Sequence, residues 1–96
     1  MKNVKVTQRP HVIVSLTADE WELYMQDGQG WEYPRETIAK MLNHRIERAI
    51  NDSQNRIEAI NKITITLAAF SDWGANDTEG HLVAIKILDL AYPQPQ

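Results

Sequence analysis

The chain of 96 residues contains no cysteine. That absence removes a disulfide framework, a thiolate nucleophile and any cysteine-based zinc site. No apolar run approaches the roughly 18 residues that a membrane span requires. The start, Met1-Lys2-Asn3-Val4-Lys5, is basic, but no leucine-rich stretch or small-residue cleavage site follows it. A secretory signal is therefore not expected, and the expected location is cytoplasmic. Three catalytic signatures are missing as well: a serine nucleophile elbow, a His-Glu-x-x-His pair and a glycine-rich phosphate loop. Gly28-Gln29-Gly30 is a two-glycine turn that does not follow a strand, so it is no dinucleotide fingerprint. The expectation is a protein that is not an enzyme and carries no cofactor.

The composition that remains is ordinary for a globular domain, with 43% apolar and 24% charged residues. Residues 1–92 are expected to form a single domain, followed by a short Pro/Gln tail at 93–96 whose prolines remove backbone donors. There is no internal repeat. The net charge of −3 argues against a surface built around nucleic-acid phosphates. Its distribution is uneven. Residues 1–9 hold Lys2, Lys5 and Arg9 with no acid, whereas residues 10–34 hold Asp19, Glu20, Glu22, Asp27 and Glu32 with no base. The middle, 35–62, is mildly basic and the last third is acidic again, which suggests internal pairing or two differently charged faces.

Periodicity points to an α+β fold of order β-α-α-β-β. His11 to Leu16 is rich in β-branched residues, and Val12, Val14 and Leu16 recur at period two, as in a strand begun at Pro10. Val4 and Val6 would extend it. Thr17-Ala18-Asp19-Glu20 reads as a capping box opening a helix that Gly28 and Gly30 stop. Pro34 suits the start of a second helix. Ile38, Leu42, Ile46, Ala49, Ile50, Ser53, Ile57 and Ile60 fall on one drifting stripe, which favours a single long helix over 35–61. A break at Asn51-Asp52-Ser53 is the alternative, because those residues prefer caps and turns. Ile63 to Leu67 alternates strictly and runs on to Phe70, and His81 to Leu90 supplies a second apolar run. The pair predicts a hairpin with a long connection at 71–80. The result is a small antiparallel sheet of about three strands, covered on one face by helices. Its exposed edges would be relieved by dimerisation.

Several side chains are candidates for chemistry. His11 and His81 sit at strand starts and, with Asp77 or Glu79, are the most plausible metal ligands. The plainer reading, surface histidines and no metal, is preferred. The 72–80 loop offers Asp72, Asn76, Asp77 and Glu79 as oxygen ligands, without the spacing of a calcium loop. Arg45, Arg48 and Arg56 lie along one edge of the stripe with Asp52 at i,i+4 from two of them, and Glu36–Lys40 is another such pair. They read as a salt-laced flank. Trp31, Tyr33 and Trp73 fall in predicted loops, where large aromatics are the residues that most often dominate interface energy. The leading expectation is a homodimeric protein-binding module. Its acidic helix residues Asp19, Glu20 and Glu22, with Trp31, Tyr33, Asp72, Trp73, Asp77 and Glu79, would engage a partner, plausibly as a small acidic inhibitor or regulator of a nucleic-acid-handling protein of phage or mobile-element type.

The first fifty residues also support a second expectation. A short strand, His11 to Leu16, is followed by a helix opening Thr17-Ala18-Asp19-Glu20-Trp21. A glycine-containing loop and a second helix, Glu36-Thr37-Ile38-Ala39-Lys40-Met41-Leu42, come next. This order resembles the ribbon-helix-helix repressors, in which two chains pair their strands into a ribbon whose outward side chains enter the major groove. The resemblance implies a dimeric DNA-binding transcriptional regulator with His11, Ile13 and Ser15 facing outward and Lys2, Lys5 and Arg9 reaching the backbone. The chain departs from the family pattern in three ways. Its outward positions are not basic or amide residues, the loop from Gly28 to Pro34 is long, and the first helix is acidic.

Overall fold

Four helices follow an extended lead-in segment in the computed structural model, which describes residues 11–91. They are α1 (Ala18–Tyr24), α2 (Arg35–Asn51), α3 (Arg56–Ala69) and α4 (Thr78–Ala91). Each packs on its neighbour in sequence, α1 on α2, α2 on α3 and α3 on α4. The described residues contain no sheet. The only β-type pairing among them is an isolated antiparallel bridge between Gln29 and Ser71. The α+β expectation with its small antiparallel sheet is therefore corrected to an all-helical fold. Val4, Val6, the basic residues 2–9 and the 93–96 tail lie outside the described residues.

The first helix begins as its sequence directs. The Glu20 N–H donates to the Thr17 hydroxyl at 3.1 Å, and the Thr17 N–H donates to the Glu20 carboxylate at 2.8 Å, a complete capping box. In α2, Ile38, Leu42, Ile46 and Ile50 recur every fourth residue and are all buried, with Ala39 beside them. The expected long helix is corrected to two. Ser53 is buried and its hydroxyl donates to the Ala49 carbonyl at 2.6 Å, while Asn55 caps α3 by accepting from the Glu58 N–H at 2.9 Å. The break rephases the stripe, and Ile57, expected inside, is 73% exposed.

The two segments expected as a hairpin are α3 and α4. Alternation in Ile63-Thr64-Ile65-Thr66-Leu67 hides a second spacing. Ala59, Ile63 and Leu67 stand at i, i+4 and i+8, and all three are buried. The threonines do not demand a strand, because the hydroxyls of Thr64 and Thr66 donate to the carbonyls of Ile60 and Lys62 at 2.7 and 2.9 Å. In α4, Val83, Ala84, Ile87 and Leu88 make the buried face. The connection at 70–77 is thus a helix–helix turn, held by Trp73. This indole is buried between Gly28 and Gly80: a Cβ on Gly28 would lie 2.4 Å from the Trp73 ring. Gly28 permits close approach rather than capping α1, which ends before it.

Candidate functional site

Residues 11–17 are extended, and their burial alternates as period two predicts. Val12 and Val14 are buried and Leu16 is half-buried, while His11, Ile13 and Ser15 are exposed. What pairs with this segment is a helix. Asn51 is bidentate to Val12, accepting its N–H and donating to its carbonyl, each at 2.9 Å. Glu47 accepts the Val14 N–H at 2.9 Å. Asn43 is bidentate to Leu16, accepting at 2.9 Å and donating at 2.8 Å. Asn43, Glu47 and Asn51 are spaced by four on α2, a rise of about 6.0 Å, and Val12, Val14 and Leu16 by two, a rise of about 6.6 Å. The two periods match closely enough for a ladder of three rungs, with the segment antiparallel to α2.

One edge of the segment is therefore used, and the other is open. Extended backbone points alternate N–H and C=O groups to opposite edges. Those of Ile13 and Ser15 have no hydrogen-bond partner among the described residues. Thr17 closes that edge by giving its N–H to Glu20. Ile13 is 72% exposed and Leu90 is 54% exposed, and both line a groove of about 110 Å³ that runs beside the open edge to Ile87 and Ala91 of α4. His11 stands at the start of the segment, its Nε2 3.7 Å from the Glu47 carboxylate. An open backbone edge with an apolar rim is a template for a further extended chain.

The acidic and aromatic candidates are differently employed. Arg35, at the start of α2, bonds Glu22 through Nε and Asp19 through Nη2, with Glu36 at 3.3 Å. Those hydrogen bonds, to Glu22 first and then Asp19, hold the guanidinium pKa above its ordinary value. Glu20 belongs to the capping box. Trp31 is half-buried and its Nε1–H donates to the Phe70 carbonyl at 2.8 Å. Trp73 is buried, and Asp77 accepts the Glu79 N–H at 2.8 Å at the start of α4. Asp72 is exposed, though its N–H is tied to the Gly28 carbonyl at 2.8 Å. Tyr33, at 67% exposure, Asp72 and Glu79 stand on the surface with no bond from their side chains to the rest of the described chain.

His11 and His81 belong to different elements, an extended segment and α4, instead of paired strands. No three of His, Cys, Asp or Glu come together to hold a metal ion among the described residues. The expected pairing of Arg56 with Asp52 is replaced by an ion pair to Asp89 of α4 at 2.8 Å. No helix of the described residues is long and apolar enough to cross a membrane. The residues that sequence reasoning missed are Asn43, Glu47 and Asn51. Their signal is polar residues every fourth position along one flank of an apolar stripe, at the spacing of a neighbouring period-two segment. No protein family, curated protein or solved structure matches the chain.

Proposed function

We propose that the protein is a homodimeric DNA-binding regulator of the ribbon-helix-helix kind, in which residues 11–15 pair antiparallel with those of a second copy. The observation that carries this reading is the open edge at Ile13 and Ser15, directly ahead of two consecutive helices. The edge is self-complementary. A register centred on Ile13 sets His11 opposite Ser15 of the second copy and uses every outward N–H and C=O from 11 to 15. The ribbon then presents His11, Ile13 and Ser15 on the face away from the valine core, as groove-reading side chains must lie. The acidity of α1 weighs less against DNA than its sequence suggests, because Arg35 sits on two of its carboxylates.

A protein-binding module remains the second reading, and Tyr33 favours it as an exposed aromatic beside a groove of about 320 Å³. It has fewer residues to use than the sequence promised, since Trp31, Trp73, Glu20 and Asp77 serve the fold.

The absence of cysteine makes the test clean. Directly opposed residues in an antiparallel pair have Cα atoms about 5.5 Å apart, within disulfide reach. Ile13→Cys is expected to give a covalent dimer on mild oxidation, whereas Leu23→Cys on exposed α1 gives none. The oxidised dimer should then enrich two-fold-symmetric duplexes from a random pool at low salt, and His11→Ala or Ser15→Ala should blunt that selection. A chain that sediments as a monomer at about 100 μM, well above the Kd of a stable dimer, and fails to cross-link at position 13 refutes strand pairing. A cross-linked dimer that retains no duplex at low salt refutes DNA binding and leaves the Tyr33 surface as the reading.

A further inference from the structure

A second surface lies on the other flank of α2, where it meets α3. A groove of about 630 Å³ runs between them, with Arg45, Arg48 and Lys62 on its walls and Ala49 and Ile65 along its floor. In a chain of net charge −3, three cations gathered around one groove are a marked segregation. Two of them have no carboxylate partner among the described residues. Arg48 is exposed and unpaired, and Arg45 lies over the Phe70 ring at 5.6 Å, which fixes its direction without neutralising it. Lys62 is held at the groove by Glu58 at 3.0 Å and by the Asp52 carbonyl at 3.4 Å. Ile65 is 59% exposed among these charges.

We infer that this groove binds an acidic amphipathic segment of a partner protein, with carboxylates at Arg45 and Arg48 and an apolar side chain on Ile65. Charge complementarity calls for an anion. The exposed isoleucine on the floor favours a peptide, because a phosphodiester backbone has no apolar group to place there. Asp52, at the same groove, repels a continuous polyanion, while a peptide can set a neutral or basic residue against it. The site is independent of strand pairing. Arg45 points about 120–160° around α2 from the three ladder residues, and Arg48 about 140°, 100° and 60° from Asn43, Glu47 and Asn51.

The test uses the full chain and a fluorescein-labelled helical peptide of about 14 residues, glutamates on one face and leucines at i, i+3, i+4 and i+7. Three probes are read by anisotropy: this peptide, the same peptide with serine for leucine, and a duplex of similar charge. The leucine peptide is expected to bind with a Kd of about 10–100 μM, weakened roughly tenfold by Arg48→Glu and several-fold by Ile65→Ser. The serine peptide should bind several-fold more weakly than its parent, and added salt should weaken both. Arg48 is exposed and its side chain makes no ion pair or hydrogen bond among the described residues, so Arg48→Glu is expected to keep its helical circular dichroism and its cross-linking through Ile13→Cys. No binding up to about 1 mM peptide, or affinity unchanged in Arg48→Glu, overturns the inference. So does duplex binding that is lost in Arg48→Glu while the peptide fails to bind, which would make the groove a phosphate track.

Discussion

Asn43→Leu tests the ladder where its consequences are largest. The Asn43 amide oxygen accepts two hydrogen bonds, from the Leu16 N–H and from the Trp21 Nε1–H, each at 2.9 Å, and its amide nitrogen donates to the Leu16 carbonyl. Trp21 is completely buried, so its indole N–H has no water to turn to. Leaving that donor unsatisfied costs about 1–3 kcal/mol, and losing the two backbone bonds to half-buried Leu16 costs about 0.5–1.5 kcal/mol each. Leucine is close to asparagine in size and returns about 1 kcal/mol through added apolar contact. The expected net loss is about 1–5 kcal/mol, centred on about 3, a large share of the roughly 5–14 kcal/mol typical of a chain this long. With a urea slope of about 1–1.5 kcal/mol/M, the midpoint should fall by about 2 M. Urea melts followed by tryptophan fluorescence and by circular dichroism measure it. The decisive comparison is the double mutant with Trp21→Phe, which removes the orphaned donor in advance. Asn43→Leu should then cost about 1–3 kcal/mol less than in the parent. A single-mutant effect under about 0.5 kcal/mol, or no coupling to Trp21, refutes the account of Asn43 as the shared anchor of the segment and α1.

Glu47→Gln should be neutral or stabilise by up to about 1 kcal/mol in the same urea melts, because the new amide can donate to the Val14 carbonyl, which has no partner among the described residues, and complete the middle rung. Gly28→Ala should lower stability by about 1–3 kcal/mol in a thermal melt, since its Cβ meets the Trp73 ring, whereas Gly74→Ala, with nothing within 4 Å, should change it little. Arg35 has its pKa raised by Glu22 and Asp19, so the stability it adds is present below the unfolded arginine pKa and is lost only as pH rises through the still higher folded one. The stability difference between the parent and Arg35→Gln should therefore be flat from about pH 6 to pH 10, and a slope in that window would show that the charge is not held.

Local signals served the N-terminal half well and the C-terminal half badly, for a physical reason. Thr17 and Glu20 specify a cap whose hydrogen bonds are all within four residues, and Ile38, Leu42, Ile46 and Ile50 repeat over more residues than an ordinary strand holds. Ile63 and Leu67 fit both periods at once, because i and i+4 lie on one face of a strand and of a helix alike, whereas Ile65 fits the strand period alone and is exposed. Length arbitrates: from Arg56 to Ala69 the pattern runs for 14 residues, too long for an ordinary strand. The 11–16 segment was legible as extended from Val12, Val14 and Leu16. Its partner was not. A polar flank of Asn43, Glu47 and Asn51 has the composition of a solvated face, and only its register against a second segment separates the two.

The same register explains why the ladder stops at three rungs and why an open edge is left behind. A fourth rung toward the N-terminus would pair residue 10 with residue 55. Residue 10 is a proline without an N–H, and α2 ends at Asn51. At the other end it would pair residue 18 with residue 39, and Ala39 is buried in the core with no polar group to offer. Each rung also accumulates the difference of about 0.6 Å between four helical residues and two extended ones, so longer pairing would lose hydrogen-bond geometry. Even-numbered residues from 12 to 16 are thus committed to α2, and parity alone turns Ile13 and Ser15 the other way. Lengthening the ladder would not close that edge, since every added rung leaves another odd residue facing out. Water satisfies that exposed edge in a lone chain, a second extended chain would satisfy it by pairing, and Thr17, whose N–H is given to Glu20, would limit such pairing to residues ahead of α1.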